Sequence, residues 1–263
     1  PIKAMKIAYP SDLTSAQWKA IESILPKPGK RGRPRTDRRV ILNAILYVLR
    51  TGIQWRLLPN DFPNWKTVYH VFRQWSLKST WKLIHDALRA SVRKSLGRNP
   101  KATACILDSQ SVKSADHSGP VGYDAAKKIK GRKRHLLVDT EGLIIIASVT
   151  TGDVPERKGA IDLLENGLPW QRSLKRLWVD GGYSGDDFAN AVKEISPKLE
   201  TEVVKRSDNQ EGFKVLPRRW VVERTFGWVM KQRRLARDYE VSLESALNWI
   251  YLAMIRIQVR RIA

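Results

Sequence analysis

What most constrains the fold is a change of hydrophobic period near residue 100. Before Gly97-Arg98-Asn99-Pro100, apolar residues recur every three or four positions. After it they come in short solid runs bounded by turn residues. The first pattern builds amphipathic helices and the second builds buried strands. The Gly/Pro break between them marks a domain boundary, so the sequence divides into 1–100 and 101–263.

The N-terminal part reads as all-α. Thr14-Ser15-Ala16-Gln17 is a capping box; Trp18, Ile21, Ile24 and Leu25 follow at helical spacing, and Pro26 and Pro28 stop the helix. A second helix starts at Thr36/Asp37, carries Val40, Ile41, Ala44, Ile45, Val48 and Leu49, and takes Gly52 as its C-cap. A third begins at Asn64, with Val68, Val71, Phe72 and Trp75 inward and Lys66, His70 and Arg73 outward. A fourth begins near Ser79/Thr80 with Trp81, Ile84, Leu88 and Val92. Between the first two lies a basic arm, residues 27–35, too rich in Gly and Pro to be helical.

Beyond Pro100 the order is strand, hairpin, helix, strand, helix, edge strand, helices. Ala104-Cys105-Ile106-Leu107 runs into Asp108. His135–Asp139 and Leu143–Val149 flank Thr140-Glu141-Gly142, a hairpin signal. A helix covers 157–166. Leu177-Trp178-Val179 runs into Asp180, and Gly181-Gly182 turns the chain into a helix over 186–195. Residues 201–205 form an edge strand. A long basic helix opens at Pro217 and reaches about Leu235, and a last helix covers 242–259. This is an α/β domain, a mixed sheet covered by helices.

Charge narrows the function. The chain carries 48 Lys and Arg against 26 Asp and Glu, a formal net charge of +22. Residues 1–100 hold +15 of it and residues 101–263 hold +7. A polyanion is the natural partner of such a field, and nucleic acid is the usual one. No apolar run approaches the roughly 18 residues that span a bilayer, so a membrane partner is not expected. One cysteine, Cys105, excludes an internal disulfide framework and fits a cytoplasmic setting. Met5 reads as the native start.

Two acids occupy equivalent places, Asp108 and Asp180, each at the end of an apolar strand run. If those strands are neighbours, the two carboxylates converge where α/β sheets place their sites. Like charges so close need a cation. Mg²⁺ suits a few carboxylates completed by water and substrate phosphate, and paired ions serve phosphodiester chemistry. A third acid, Glu223, shares a helix face with Arg219, Trp220, Phe226 and Gly227. Alone it reads as an ion pair with Arg219; beside Asp108 and Asp180 it reads as a third metal ligand.

Three segments then resemble a known family: 107–113 (Leu-Asp-Ser-Gln-Ser-Val-Lys), 179–183 (Val-Asp-Gly-Gly-Tyr) and 219–228 (Arg-Trp-Val-Val-Glu-Arg-Thr-Phe-Gly-Trp), with the basic 130–135 also typical. The sequence resembles DDE transposases of bacterial insertion sequences, in the insertion-sequence-four/five group. The resemblance covers nearly the whole chain. It implies an RNase H-like catalytic domain behind a helical, helix-turn-helix-like DNA-binding domain. It implies Asp108, Asp180 and Glu223 as the catalytic, metal-holding acids, with Mg²⁺ as cofactor and Mn²⁺ as substitute. The family's third motif has Tyr, Arg, Glu and Lys; Arg219 and Glu223 match, while Leu216 and Met230 stand at the Tyr and Lys positions. The implied reaction is hydrolysis at an element end, freeing a 3′-OH that attacks target DNA. No covalent protein–DNA intermediate is needed, so Tyr183 and Ser184 are not expected to be nucleophiles. Double-stranded DNA is the implied partner, with a homodimer in the synaptic complex, in the bacterial cytoplasm near the nucleoid. The rival readings are a transposase-derived DNA-binding repressor that does not cut and a simple RNase H-like nuclease.

Candidate DNA contacts follow. Arg31, Arg33 and Arg35 of the arm suit a narrow minor groove or simply touch phosphates. Lys66 and Arg73 lie on the candidate recognition helix, which is otherwise an ordinary packing helix. Lys113 lies in the first motif. Lys130, Arg132, Lys133, Arg134 and His135 crowd a loop expected between the first strand and the hairpin, where self-repulsion calls for phosphate. Arg219, Lys231 and Arg234 accompany Glu223.

Overall fold

The computed structural model describes residues 9–26, 36–116, 118–204 and 218–263. Its helices are α1 (Ser15–Glu22), α2 (Arg38–Thr51), α3 (Trp65–Leu77), α4 (Thr80–Ser95), α5 (Glu156–Gly167), α6 (Asp186–Ile195), α7 (Trp220–Met230), α8 (Arg233–Ala236) and α9 (Leu243–Ile262). Its strands are β1 (Ala104–Lys113), β2 (Gly122–Asp124), β3 (Ile129–Asp139), β4 (Ile144–Thr151), β5 (Arg176–Val179) and β6 (Glu200–Val203). The chain divides into two compact units. One holds the residues up to Arg98 with Lys231–Ala236 and Asn248–Ala263; the other holds Asn99–Met230 and Arg237–Leu247.

In the first unit the sequence's own capping signals set the helix ends. Thr14 and Gln17 form the capping box of α1. The Asp37 carboxylate accepts the Arg39 amide at 2.6 Å, and Gly52, at φ 74°, closes α2 in the left-handed conformation that glycine adopts without strain. Asn64 accepts the Lys66 amide at the start of α3. The apolar faces meet around Trp249, whose ring stacks on Phe72 with centroids 4.6 Å apart and packs against Trp55. Val68 and Phe72 are buried, while Lys66, His70 and Arg73 share an exposed face of α3.

The second unit is built on one six-stranded mixed sheet in the order β2-β3-β1-β5-β6, with β4 paired to β3. β1, β2 and β4 run antiparallel to β3; β5 runs parallel to β1, and β6 parallel to β5. The solid apolar runs of β1, β4 and β5 suit strands covered by side chains on both faces. Leu107, Leu137 and Val179 share a core with Leu163 and Leu164 of α5 and with Phe188 and Val192 of α6. The expected hairpin, both flanking helices and the edge strand all form, giving the expected mixed sheet flanked by helices.

Three local expectations change. β1 does not end at Asp108. It continues to Lys113 because Ser109–Lys113 pair with His135–Gly131 of β3, so the acid sits in mid-strand. Residues 129–135 are not a loop but the first half of β3, and Arg132, Lys133, Arg134 and His135 are buried. The basic helix stops at Met230 and a separate turn, α8, follows; its expected start at Pro217 lies outside the described residues. The short strand β2 was not foreseen.

Candidate functional site

β1 and β5 position the two aspartates. Ile106 pairs with Trp178 in parallel register, and two residues further along each strand the same register brings Asp108 beside Asp180. Each aspartate has one oxygen tied to the backbone. The Ser109 amide donates to Asp108 Oδ1 at 2.7 Å, and the Gly182 amide donates to Asp180 Oδ1 at 2.8 Å. Asp180 thereby caps the single turn Gly181–Tyr183. Small residues immediately after each acid, Ser109 and Gly181-Gly182, make these bonds accessible and are the local sequence signal for them.

Glu223 comes from the first turn of α7, and Arg219 immediately precedes that helix. One nitrogen of Arg219, Nη2, faces all three acids. It lies 3.4 Å from Asp180 Oδ2, 3.8 Å from Glu223 Oε1 and 3.9 Å from Asp108 Oδ2. In both aspartates the oxygen turned to this point is the one that the backbone leaves free. Burial, reinforced by the charge of Asp180, pushes the Asp108 carboxyl up to about 6. The Glu223 side chain is 58% exposed against 16% for Asp108, so the cluster is closed at the sheet and open at the helix.

The donor chemistry fits a hard divalent cation, since every group is a carboxylate oxygen and all three address one position. Among the described residues no three acidic, His or Cys side chains close to direct ligation geometry; the Arg219 nitrogen takes the point that the three acids share. Beside them a cleft of about 490 Å³ opens between β1 and α7, lined by Asp108, Gln110, Ser111, Lys127, Glu223 and Phe226 among others. Gln110, Ser111 and Phe226 were not foreseen as site residues. Tyr183 is 1% exposed, its ring lies against Phe188, and burial pushes its hydroxyl far up. A neutral, enclosed phenol makes a poor nucleophile.

The remaining sequence candidates separate by burial. Lys113 and Lys130 are exposed at neighbouring strand ends, the Lys130 carbonyl accepting the Ser114 amide. Arg132 pairs with Asp238 at 3.0 Å and donates to the Pro120 carbonyl. Lys133 pairs with Asp124 at 3.3 Å and donates to the Val154 carbonyl. Arg134 reaches the Met230 sulfur, and His135 meets the Thr150 hydroxyl at 3.0 Å. Burial pushes His135 down to about 4, so the ring is neutral at pH 7. These four side chains are thus engaged inside the sheet unit. Lys66, Arg73 and Lys231 are exposed, whereas Arg234 is buried, donates to the Ile53 carbonyl and lies over Trp249. Arg31, Arg33 and Arg35 lie outside the described residues. Among the described residues no helix is long and apolar enough to cross a membrane.

Residues 99–257 match the family model described as "Transposase DDE domain", and residues 13–85 match one described as "Putative transposase of IS4/5 family". A Burkholderia cepacia protein named "Insertion element IS402 uncharacterized 16.2 kDa protein" is 35% identical over 83 residues, which is 29% of this chain and 56% of that protein. The chain therefore spans little more than half of that relative. Another from the same species, "Putative transposase for insertion sequence element IS402", is 27% identical over 165 residues, 58% of this chain and 75% of its own length. The Sinorhizobium fredii "Uncharacterized protein y4sN" is 28% identical over 121 residues, 45% of this chain and 86% of its own. No solved structure matches the chain significantly.

Proposed function

Because the chain belongs to the DDE-domain transposases of insertion sequences, with residues 99–257 matching that domain, we propose that it binds insertion-sequence ends, hydrolyses a phosphodiester there and joins the freed 3′-OH to target DNA. The observation that carries this reading is the convergence of Asp108, Asp180 and Glu223 on one cationic nitrogen. That point is where the three acids would hold Mg²⁺, with Mn²⁺ as a substitute.

Divalent ions held by Asp108, Asp180 and Glu223 would supply activation of the attacking oxygen and stabilisation of the leaving oxygen, the chemistry of two-metal sites. The protein's own groups do the rest. The Ser109 and Gly182 amides hold the two aspartates in orientation, so that little reorganisation accompanies reaction. Glu223, the most exposed acid, closes the set from α7. Lys127, which lines the cleft, and Lys113 and Lys130, exposed at the strand ends, offer charge to the sugar–phosphate backbone. The outward face of α3, with Lys66 and Arg73, serves as the recognition surface of a helix-turn-helix-like domain over residues 1–100, the arm with Arg31, Arg33 and Arg35 follows a groove, and Lys231 adds a phosphate contact. The catalytic domain lies within residues 101–263, its sheet and three acids in the second compact unit. Two DNA ends are paired by a homodimer in the synaptic complex, in the bacterial cytoplasm.

Labelled DNA carrying candidate element ends, incubated with Mg²⁺ or Mn²⁺, tests the reading. Metal-dependent cleavage and strand transfer are expected from the intact protein, and neither from Asp180→Asn, which still binds DNA. Tight binding without cleavage in either metal identifies a DNA-binding repressor instead. Cleavage without joining identifies a nuclease.

A further inference from the structure

The contact of Arg219 with all three acids at once has a consequence for how the site is loaded. Its Nη2 stands 3.4 to 3.9 Å from an oxygen of each acid. Those separations exceed the roughly 2.7–2.9 Å of a tight charge-assisted hydrogen bond. The guanidinium therefore balances the cluster by charge rather than by a fitted fork, and three acids against one arginine leave an excess of negative charge.

Mg²⁺ requires oxygen ligands at about 2.0–2.1 Å. Carboxylates drawn that close leave no room for a nitrogen among them, and two cations at one point repel. The Arg219 side chain is only 17% exposed, so once displaced it needs another anion nearby. A DNA phosphate entering the adjacent cleft is the anion that the proposed reaction brings. Guanidinium matches phosphate oxygens in planar, bidentate fashion.

We propose that Arg219 is a resident counter-ion that competes with the divalent ion for Asp108, Asp180 and Glu223, and that its transfer to a DNA phosphate couples metal binding to substrate binding. The inference rests on the metal-site reading above. It makes Arg219 a positioning residue for loading rather than a passive partner of Glu223. Without DNA the arginine weakens metal binding; with DNA that competition is relieved. By linkage the metal strengthens DNA binding by the same factor.

The test is Mn²⁺ binding to the full chain, followed by electron paramagnetic resonance with and without a short DNA duplex of arbitrary sequence at low salt. For the intact protein the duplex should tighten Mn²⁺ binding on the order of tenfold. Arg219→Gln should bind Mn²⁺ on the order of tenfold more tightly than the intact protein without DNA, and the duplex should then have little effect. Arg218→Gln removes the neighbouring charge, which pairs with Glu202 rather than with the three acids, and it should change Mn²⁺ affinity far less. Equal effects from the two variants would mean general electrostatics and would overturn the proposal, as would unchanged Mn²⁺ affinity in Arg219→Gln. Should that variant fail to fold, Arg219→Lys serves. A shorter, single-point cation should compete less well and bind Mn²⁺ more tightly without DNA, and an affinity equal to that of the intact protein refutes the competition. If no form binds Mn²⁺ with or without DNA, the metal-site reading itself fails.

Discussion

At the scale of single residues, the site holds charge that the folded protein does not favour by itself. Asp108 is mostly buried beside Asp180, and its carboxyl titrates near 6 although Arg219 and Lys127 oppose the shift. At neutral pH, keeping it ionised costs the fold roughly 3 kcal/mol relative to an ordinary carboxyl near 3.8. Asn retains its shape and still accepts the Ser109 amide. Asp108→Asn should therefore stabilise the metal-free protein by roughly 1–3 kcal/mol while abolishing the proposed cleavage. The pH dependence has a definite sign. A carboxyl whose folded value is raised favours folding at low pH, and that contribution is lost as pH rises from about 3.8 through 6. Calorimetric melts across that window should slope in the intact protein and flatten in Asp108→Asn. A variant that melts lower at pH 7 would show that the attraction to Arg219 outweighs burial.

At the scale of elements, α7 is held against the hairpin as well as the sheet. The Thr225 hydroxyl, fully buried, donates to the Gly142 carbonyl at 2.8 Å, and Arg224 donates to the Glu141 carbonyl at 3.1 Å while its guanidinium lies between the rings of Trp220 and Trp228. Gly142, at φ 78°, makes the turn that brings those carbonyls to the helix. Thr225→Val strands the Gly142 carbonyl at a cost of about 1–3 kcal/mol and loosens the seat of Glu223. Both a lower melting temperature and several-fold weaker Mn²⁺ binding are expected; unchanged binding in the destabilised variant would show that this turn does not orient the acid. The elements themselves were legible in the sequence wherever one residue carries the local decision. Thr14, Asp37, Gly52 and Asn64 announced helix ends because capping is chemistry within four positions. Asp108 and Asp180 were legible as a pair because solid apolar runs lead into both. The continuation of β1 was not legible, because Ser109-Gln110-Ser111 looks like loop until β3 supplies its partners. Nor was the placement of Arg219 among three acids, two of which arrive from β1 and the end of β5.

At the scale of the whole molecule, a net charge of +22 counts cations without saying which ones face outward. Arg132, Lys133, Arg134 and His135 are engaged in the interior, whereas Lys113 and Lys130 remain exposed at the strand ends. Charge reversal at Lys113 and Lys130 should leave the fold intact, weaken DNA binding for all sequences and make log affinity less steep against log salt by about one per lost phosphate contact. Arg132→Glu should instead fail to fold, since it sets a second acid against the buried Asp238; filter binding across a salt series and circular dichroism distinguish the two cases. The bridge between Arg132 and Asp238 also carries a meaning for the making of the protein. All three site acids leave the ribosome before Asp238 does, yet an unpaired arginine inside the sheet costs several kcal/mol. Ser114 bridges to Asp238 as well. A nascent or prematurely ended chain thus holds Asp108, Asp180 and Glu223 but lacks the partner of the buried arginine, so the sheet that carries the acids reaches its final stability only once synthesis has passed Asp238.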